Sequence, residues 1–134
     1  MQSAVLLRLL QLASPSLPIG AYTYSQGLES AIDKGFVTNQ QSAHEWITES
    51  LNIIGDFEAP ISWRLMKAFS NRDLETIKHW TECFIAARDT SEFRAETIQM
   101  GYSLGKLVTD LKIADESLQS ILQNLTEIPL PTAF

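Results

Sequence analysis

Apolar residues recur three and four positions apart along most of the chain, the spacing of one face of an α-helix. The pattern predicts a first helix over residues 3–13 that is apolar almost all round and therefore buried on more than one side. It predicts a second helix over residues 25–34, with Gly35 as the left-handed residue that ends it. Between them, the segment SPSLPIG contains two prolines and should form a rigid, extended connector.

The same spacing continues through the rest of the chain. A third helix should be capped by Thr38 or Asn39 and should end or bend at Gly55, and Pro60 should open a fourth. The apolar stripes of the later helices consist of Trp46, Ile47, Leu51 and Ile54; Ile61, Leu65, Ala68 and Phe69; Leu74, Ile77, Trp80, Phe84 and Ile85; Phe93, Ile98, Met100, Leu104, Leu107, Val108 and Leu111; and Leu118, Ile121, Leu122 and Leu125.

Polar residues mark where the remaining helices begin. Asn71 is a suitable N-cap for the fifth helix, and Thr90 or Ser91 for the sixth. A shorter last helix is predicted over residues 115–125. No segment has the alternating, β-branched pattern of a strand. The sequence therefore predicts an all-α bundle of about six to seven helices, with residues 1–134 in a single domain.

The composition and charge exclude several classes of protein. With 45% hydrophobic residues the chain can form a core without disulfides, and Cys83 is its one cysteine. Sixteen acidic and ten basic residues give a net charge of −6, which argues against nucleic acid or an anionic membrane as the main partner. No apolar run approaches the roughly 18 residues of a membrane span, and the N-terminus does not resemble a signal peptide. With a free thiol, these features favour the cytoplasm.

Candidate chemistry is sparse. His79 and Cys83 are four residues apart, so they could share a helix face and bind a transition metal. Two ligands do not make a site, however, and Trp80 and Phe84 beside them favour a packed or solvated role. Neither GxxxxGK[ST] nor GxGxxG occurs, so we do not expect this chain to bind a nucleotide.

Two further features each leave two interpretations open. Gly101 and Gly105 form a GxxxG pair that either lets another backbone approach one helix face or occurs by chance. Residues 22–27 read YTYSQG, and their two tyrosines follow the proline-containing segment. Tyrosine combines apolar area with a hydrogen-bonding group, so this stretch is either a binding surface or a structural corner.

Two blocks of sequence resemble the family of the urease accessory protein UreF. Residues 9–29 read LLQLASPSLPIGAYTYSQGLE and closely resemble the N-terminal signature of that family. Residues 93–104 read FRAETIQMGYSL and resemble a later helix of the family, in the same order and at a similar separation. The resemblance extends over essentially the whole chain. It implies an all-helical, non-enzymatic chaperone that helps to mature another enzyme.

The resemblance also implies partners. Proteins of the UreF family dimerise and join UreD, called UreH in some systems, and the GTPase UreG in a complex that docks on apo-urease and guides carbon dioxide and nickel into its active site. UreF is expected to bridge UreD and UreG. GTP would be bound by UreG and nickel handled by the complex, so the resemblance implies no cofactor bound directly to this chain.

Candidate partner-binding or passage residues follow from the same two blocks. The resemblance places the first group at Pro15, Pro18, Gly20, Tyr22, Tyr24, Ser25, Gln26, Gly27 and Glu29, and the second at Glu96, Gln99 and Met100. In the first group, the proline and glycine residues could be present only because the turn requires them, without a role in binding.

Family members continue well beyond the position of Phe134, so the resemblance implies that this chain is the N-terminal part of a longer domain. The absence of closing helices would leave Leu104, Leu107 and Leu111 partly uncovered, which predicts self-association or poor solubility. The alternative to the UreF interpretation is a small helical metal-binding or protein-interaction module unrelated to urease.

Overall fold

The computed structural model describes residues 2–21 and 27–134, and these residues form an all-α protein, as the spacing of apolar residues predicts. They contain no β-strand. The helices are α1 (Gln2–Leu12), α2 (Leu28–Asp33), α3 (Gln40–Ile53), a π-helix (Ile54–Glu58), α4 (Ala59–Ser70), α5 (Leu74–Ala86), α6 (Ser91–Asp110), α7 (Glu116–Gln123) and α8 (Leu130–Ala133). No helix in this part of the chain is long and apolar enough to cross a membrane.

The helix that begins at α3 continues without a break into α4. Gly55 was expected to end or bend the third helix and Pro60 to open the fourth. The α-helical segments do change there, because α3 ends at Ile53 and Pro60 lies in the first turn of α4, yet the backbone keeps right-handed helical angles at Ile54 and at Ala59. The change at this point is a π-helix, in which the Ala59 N–H donates to the Ile54 carbonyl. A proline in a regular helix clashes with the carbonyl four residues earlier. For Pro60 that residue is Asp56, which lies within the wider turn of the π-helix.

The largest core cluster lies where α5 packs against α4, with α7 closing it. It contains one buried residue from α7, Ile121, and five from the other two helices: Ile61, Leu65, Ala68, Ile77 and Phe84. A second cluster joins Ile19, Leu104 and Ala133. The apolar stripes predicted for α4, α5 and α7 thus supply the first cluster, and Leu104 of the stripe predicted for α6 lies in the second.

Side chains cap several of the helices. Asn39 and Ser42 form a reciprocal capping box at the start of α3, and Thr90 accepts the Phe93 N–H at the start of α6, as predicted. Asn71, by contrast, was wrongly expected to cap α5. Asn71 ends α4, and the chain reverses through Arg72 in a left-handed conformation (φ 56°), so the residue that enters α5 and caps it is Asp73.

Turns follow both α1 and α2. Gly35 adopts φ +76° after α2, and the N–H groups of Gly35 and Phe36 donate to Ile32 and Ala31, so the helix ends in the predicted left-handed cap. The SPSLPIG segment was expected to be extended. Instead it folds into consecutive turns, because the Leu17 N–H donates to the Ser14 carbonyl and the Ile19 N–H to the Leu17 carbonyl.

Several apolar side chains predicted to be buried are exposed. Five apolar residues of α1 are more than half exposed, so its expected burial on more than one side is wrong: Val5, Leu6, Leu7, Leu9 and Leu10. In α3 no residue is buried, and Ile47 and Leu51 lie at the surface. Leu104 was expected to be partly uncovered but is fully buried, while Leu107 and Leu111 are half-buried. Each apolar stripe lies on one face of its helix as predicted, but whether that face is buried depends on which other helices pack against it.

The segment from Glu127 to Ala133 packs along α6. A side chain on Gly101 would overlap the Ile128 carbonyl oxygen and lie 2.7 Å from the Pro129 carbonyl carbon, so only glycine fits there. The Leu130 N–H donates to the Thr97 hydroxyl (3.2 Å), and the buried hydroxyls of Thr81 and Thr132 are 2.9 Å apart. The interpretation of Gly101 as a site of close backbone approach is therefore confirmed. Gly105 has no atom within 4 Å of its would-be side chain.

Candidate functional site

The first block of candidate residues lies partly outside the described structure. Tyr22, Tyr24, Ser25 and Gln26 fall in residues 22–26, which the structure does not describe. The described members are at the surface: Pro15, Pro18, Gly20 and Glu29 are exposed, and Gly27 is half-buried beside Trp46. Gly20 and Gly27 have positive φ angles of 80° and 83°, which shows that the backbone itself favours glycine at both positions.

The second block divides between two faces of α6. Glu96 and Met100 are four residues apart, so they share a face, and both line a cleft in the surface. Gln99 is exposed and does not line that cleft. The structure therefore brings two of the three predicted residues of this block into one concave site, away from the described residues of the first block, none of which lines it.

The cleft has a volume of about 380 Å³ and lies between the π-helix, the end of α5, α6 and the start of α8. It is lined by Ser50, Ile53, Ile54, Phe57, Glu58, Phe84, Ala87, Arg88, Asp89, Phe93, Glu96, Thr97, Met100, Leu130 and Pro131. The π-helix contributes Ile54, Phe57 and Glu58 to this wall. π-Turns within α-helices are frequent at functional sites, so this position supports a functional role for the cleft.

Arg88 is a polar side chain of the cleft with several close contacts. Its guanidinium donates to the Glu58 carboxylate (2.9 Å) and lies over the rings of Phe84 (4.2 Å) and Phe57 (5.2 Å). The side chain is only 16% exposed, and among the described residues its buried Nε has no hydrogen-bond partner. The guanidinium thus lies over two neighbouring rings and pairs with a carboxylate, and these contacts hold it in place.

Sequence reasoning did not identify Glu58, Arg88 or the aromatic pair as parts of a site. Phe57 and Phe84 stack with their ring centroids 5.9 Å apart, although they are distant in the sequence. No spacing rule connects Glu58 and Arg88, which are 30 positions apart, so only the tertiary structure could show that they form an ion pair.

A second, larger groove adjoins the cleft. It has a volume of about 760 Å³ and is mainly apolar, with Trp63, Met66 and Phe134 among its exposed walls. Ile54, Glu58 and Pro131 line both concavities. The π-helix and the start of α8 therefore form a shared wall, with an acidic cleft on one side and an apolar groove on the other.

Comparison with known proteins agrees with this helical fold. The UreF family model matches residues 37–134, which include α3 to α8. The chain belongs to the UreF family.

Relatives with the name urease accessory protein UreF extend this match to the N-terminal block. The relative from Nitrosospira multiformis is 67% identical over 129 residues, which are 96% of this chain and 57% of the relative. The relative from Janthinobacterium sp. (strain Marseille) is 60% identical over 135 residues, covering all of this chain and 60% of the relative. That from Nitrosococcus oceani is 46% identical over 94% of this chain and 57% of its own length. The UreF-family chain described here thus spans less than two thirds of each of these relatives.

The weak metal-site candidates of this UreF-family chain lie on α5. The Cys83 Sγ is 3.7 Å from the His79 Nε2, with His79 exposed and Cys83 half-buried. Within residues 2–21 and 27–134, no group of three or more histidine, cysteine or acidic side chains could hold a metal ion. The pair therefore gains no third ligand from this part of the chain, whereas zinc sites in proteins use three or four.

Proposed function

We propose that this chain acts in urease maturation as a non-enzymatic accessory protein that works through contacts with other proteins. The observation that carries the proposal is its 67% identity, over 96% of its length, to a protein named urease accessory protein UreF. The surface of the structure supports the proposal, because a cleft, an apolar groove and an exposed apolar helix offer area for partners.

In more detail, we propose that the protein joins UreD and the GTPase UreG on apo-urease and bridges them while nickel is inserted. Nickel is then a cargo of the complex, and GTP belongs to UreG. The sequence supports this division of roles, because it contains no glycine-rich phosphate loop. We further propose that the protein works as a homodimer in the cytoplasm, a compartment that suits its single unpaired cysteine.

Co-purification tests this proposal directly. Affinity-tagged chain is co-expressed with UreD, with UreG and with both, and we expect UreD and UreG to elute together with it. In parallel, a urease-producing strain that lacks its own UreF receives the gene for this chain, and we expect nickel-dependent urease activity to rise. If UreD and UreG stay in the flow-through and the strain stays inactive, the proposal is contradicted.

A further inference from the structure

We propose that α1 of one copy of this chain lies in the apolar groove of a second copy, and that the exchange is reciprocal. Helix α1 is called the arm below, and the groove is the larger of the two concavities. The proposal rests on the homodimer proposed above. It goes beyond that homodimer in assigning the two surfaces that meet and the chemistry of their contact.

The arm has an apolar face that starts at the groove of its own chain and continues beyond it. Val5, Leu9 and Leu12 follow the spacing i, i+4 and i+7, so they share one face of the helix. Leu12 lines the groove and is half-buried, whereas Val5 is 56% and Leu9 58% exposed. Arg8 ties the arm to the end of α6 by donating to the Leu111 carbonyl (3.1 Å). The arm is thus held beside the groove, with the first part of its apolar face uncovered.

The groove is the concave counterpart of this face. Trp63 is 57% and Met66 51% exposed on its wall, and its lining reaches down to the fully buried Leu104. Its volume of about 760 Å³ gives room for several side chains of one helix face. Covering such apolar area removes it from water, which favours association. An occupant of the groove therefore needs an apolar helix face, and the same chain has one in the arm.

Charge favours a second copy as the occupant. Arg8 is the only ionisable side chain in the sequence of the arm, and it is already bonded to the main chain of α6. The groove lining has two ionisable side chains, Glu58 and Arg72. Glu58 pairs with Arg88 (2.9 Å), which lies outside the groove lining. Arg72 pairs with Asp115 (2.8 Å). Two chains that each carry a net charge of −6 can therefore meet at these surfaces without bringing like charges together.

The size of the combined surface also fits a dimer. The groove is lined by 20 residues, and a standard protein interface uses about 20–30 residues on each side, so groove and arm together reach that range. Because each copy offers both an arm and a groove, two copies can form a closed two-fold pair in which each surface is used once.

The first test compares substitutions on two sides of the arm. Leu9→Glu places a charge on the face shared with Val5 and Leu12, whereas Leu7→Glu changes a residue on the opposite side of the helix that is 67% exposed. Light scattering over a range of concentrations gives the mass of the particle. We expect the parent to have twice the 15.0 kDa of one chain. Leu9→Glu should weaken the dimer about a hundredfold, since it acts at both contacts, and Leu7→Glu should stay within about threefold of the parent.

A complementation test separates lost contact from lost folding. Met66→Lys places a cation on the groove wall and should weaken the dimer of that variant as well. In a mixture of differently tagged Leu9→Glu and Met66→Lys chains, one contact pairs the new carboxylate with the new ammonium group and the other contact is unchanged. We expect the mixed dimer to be at least about tenfold tighter than the dimer of either variant alone. Added salt should not weaken the parent dimer, because its contact is apolar.

Four results would overturn the proposal. If the parent dimerises and Leu9→Glu leaves the dimer intact, the inference fails while the homodimer stands; loss of UreD or UreG by that variant would then assign the surface to that partner. If mixing the two variants restores nothing, the arm does not enter the groove of the other copy. If the mass grows beyond that of a dimer, the contact is open-ended and not reciprocal. If the parent is monomeric throughout, the homodimer and the inference both fail, and co-purification with UreD and UreG tests the rest of the proposed function.

Discussion

The packed region formed by α4, α5 and α7 and the N-terminal region formed by α1 and α3 have apolar stripes of similar spacing but very different burial. In the packed region, Leu65, Ile77 and Phe84 are almost completely buried. In the N-terminal region, Leu7 of α1 and Leu51 of α3 are more than 60% exposed. The packed region therefore contributes most of the hydrophobic stabilisation, whereas the N-terminal region leaves apolar surface exposed.

The two regions also differ in what holds their helices. α3 has no buried residue, yet its start is fixed by the Asn39–Ser42 capping box and its end continues into the π-helix. α5 has a cap as well, from Asp73, but it also buries four residues. Local hydrogen bonds can thus define a helix without placing it in the core, because a cap contributes only about 1 kcal/mol.

The largest expected difference is between a leucine in each region. Leu65→Ala should lower the free energy of unfolding by about 3 kcal/mol, because it leaves a cavity in the core. Leu7→Ala removes a side chain that is 67% exposed and should change it by less than about 0.5 kcal/mol. Urea unfolding followed by circular dichroism measures both. Equal losses at the two positions would contradict the distinction between the regions.

A smaller but sharper test uses the two glycines of α6. Gly101→Ala forces a methyl group against the Ile128–Pro129 backbone, which cannot move like a flexible side chain, and should destabilise the protein by about 2 kcal/mol. Gly105→Ala meets no neighbouring atom and should stabilise the helix by up to about 1 kcal/mol. The same urea experiment measures whether each substitution raises or lowers the free energy of unfolding. Stabilisation by Gly101→Ala would mean that residues 127–133 do not pack on α6 in solution.

The smallest expected effect is a loss of helix-cap stabilisation at low pH, which should distinguish caps made by aspartate from the cap made by asparagine. Hydrogen bonds from the Thr76 hydroxyl and N–H lower the pKa of Asp73, and the Leu118 N–H, with a contribution from Arg72, lowers that of Asp115. Because these pKa values are lower in the folded chain, the stabilisation is present above about pH 4 and is lost as the pH falls through the folded values. Asn39 does not titrate.

Amide hydrogen exchange can follow this difference residue by residue. Below about pH 4 we expect the protection factor of the Thr76 amide to fall, while that of Ser42, which donates to Asn39, stays nearly constant. In an Asp73→Asn variant the acid sensitivity at Thr76 should disappear, since asparagine also caps helices. Parallel loss of protection at Thr76 and Ser42 in the parent would show that acid unfolds both regions together.

The sequence predicted the helical class, most of the helix limits and the apolar faces, because each depends on residues within one or two turns. The left-handed Gly35 and the cap at Asn39 are of this kind. The error at Asn71 has a local cause too: two polar residues, Asn71 and Asp73, compete for one cap, and the left-handed turn at Arg72 decides between them.

The candidate site was much less accessible to sequence reasoning. Glu96 and Met100 were named as candidates through a resemblance to a family, and the structure shows that both line the cleft. Their neighbours in the cleft come from the π-helix and α5, so the Glu58–Arg88 pair and the stacked rings depend on how three distant segments meet. For the same reason, the exposure of α1 could not be read from its composition.

The π-helix also sets the rotational phase between α3 and α4. In a regular α-helix each residue turns the chain by about 100°, so a single inserted or deleted residue rotates everything on one side of it by that amount. Deleting one residue from Ile54–Glu58 would therefore leave α4 in the core but turn the exposed stripe of α3, with Ile47 and Leu51, to a different side of the molecule. The direction in which this surface faces a partner thus depends on one turn of backbone.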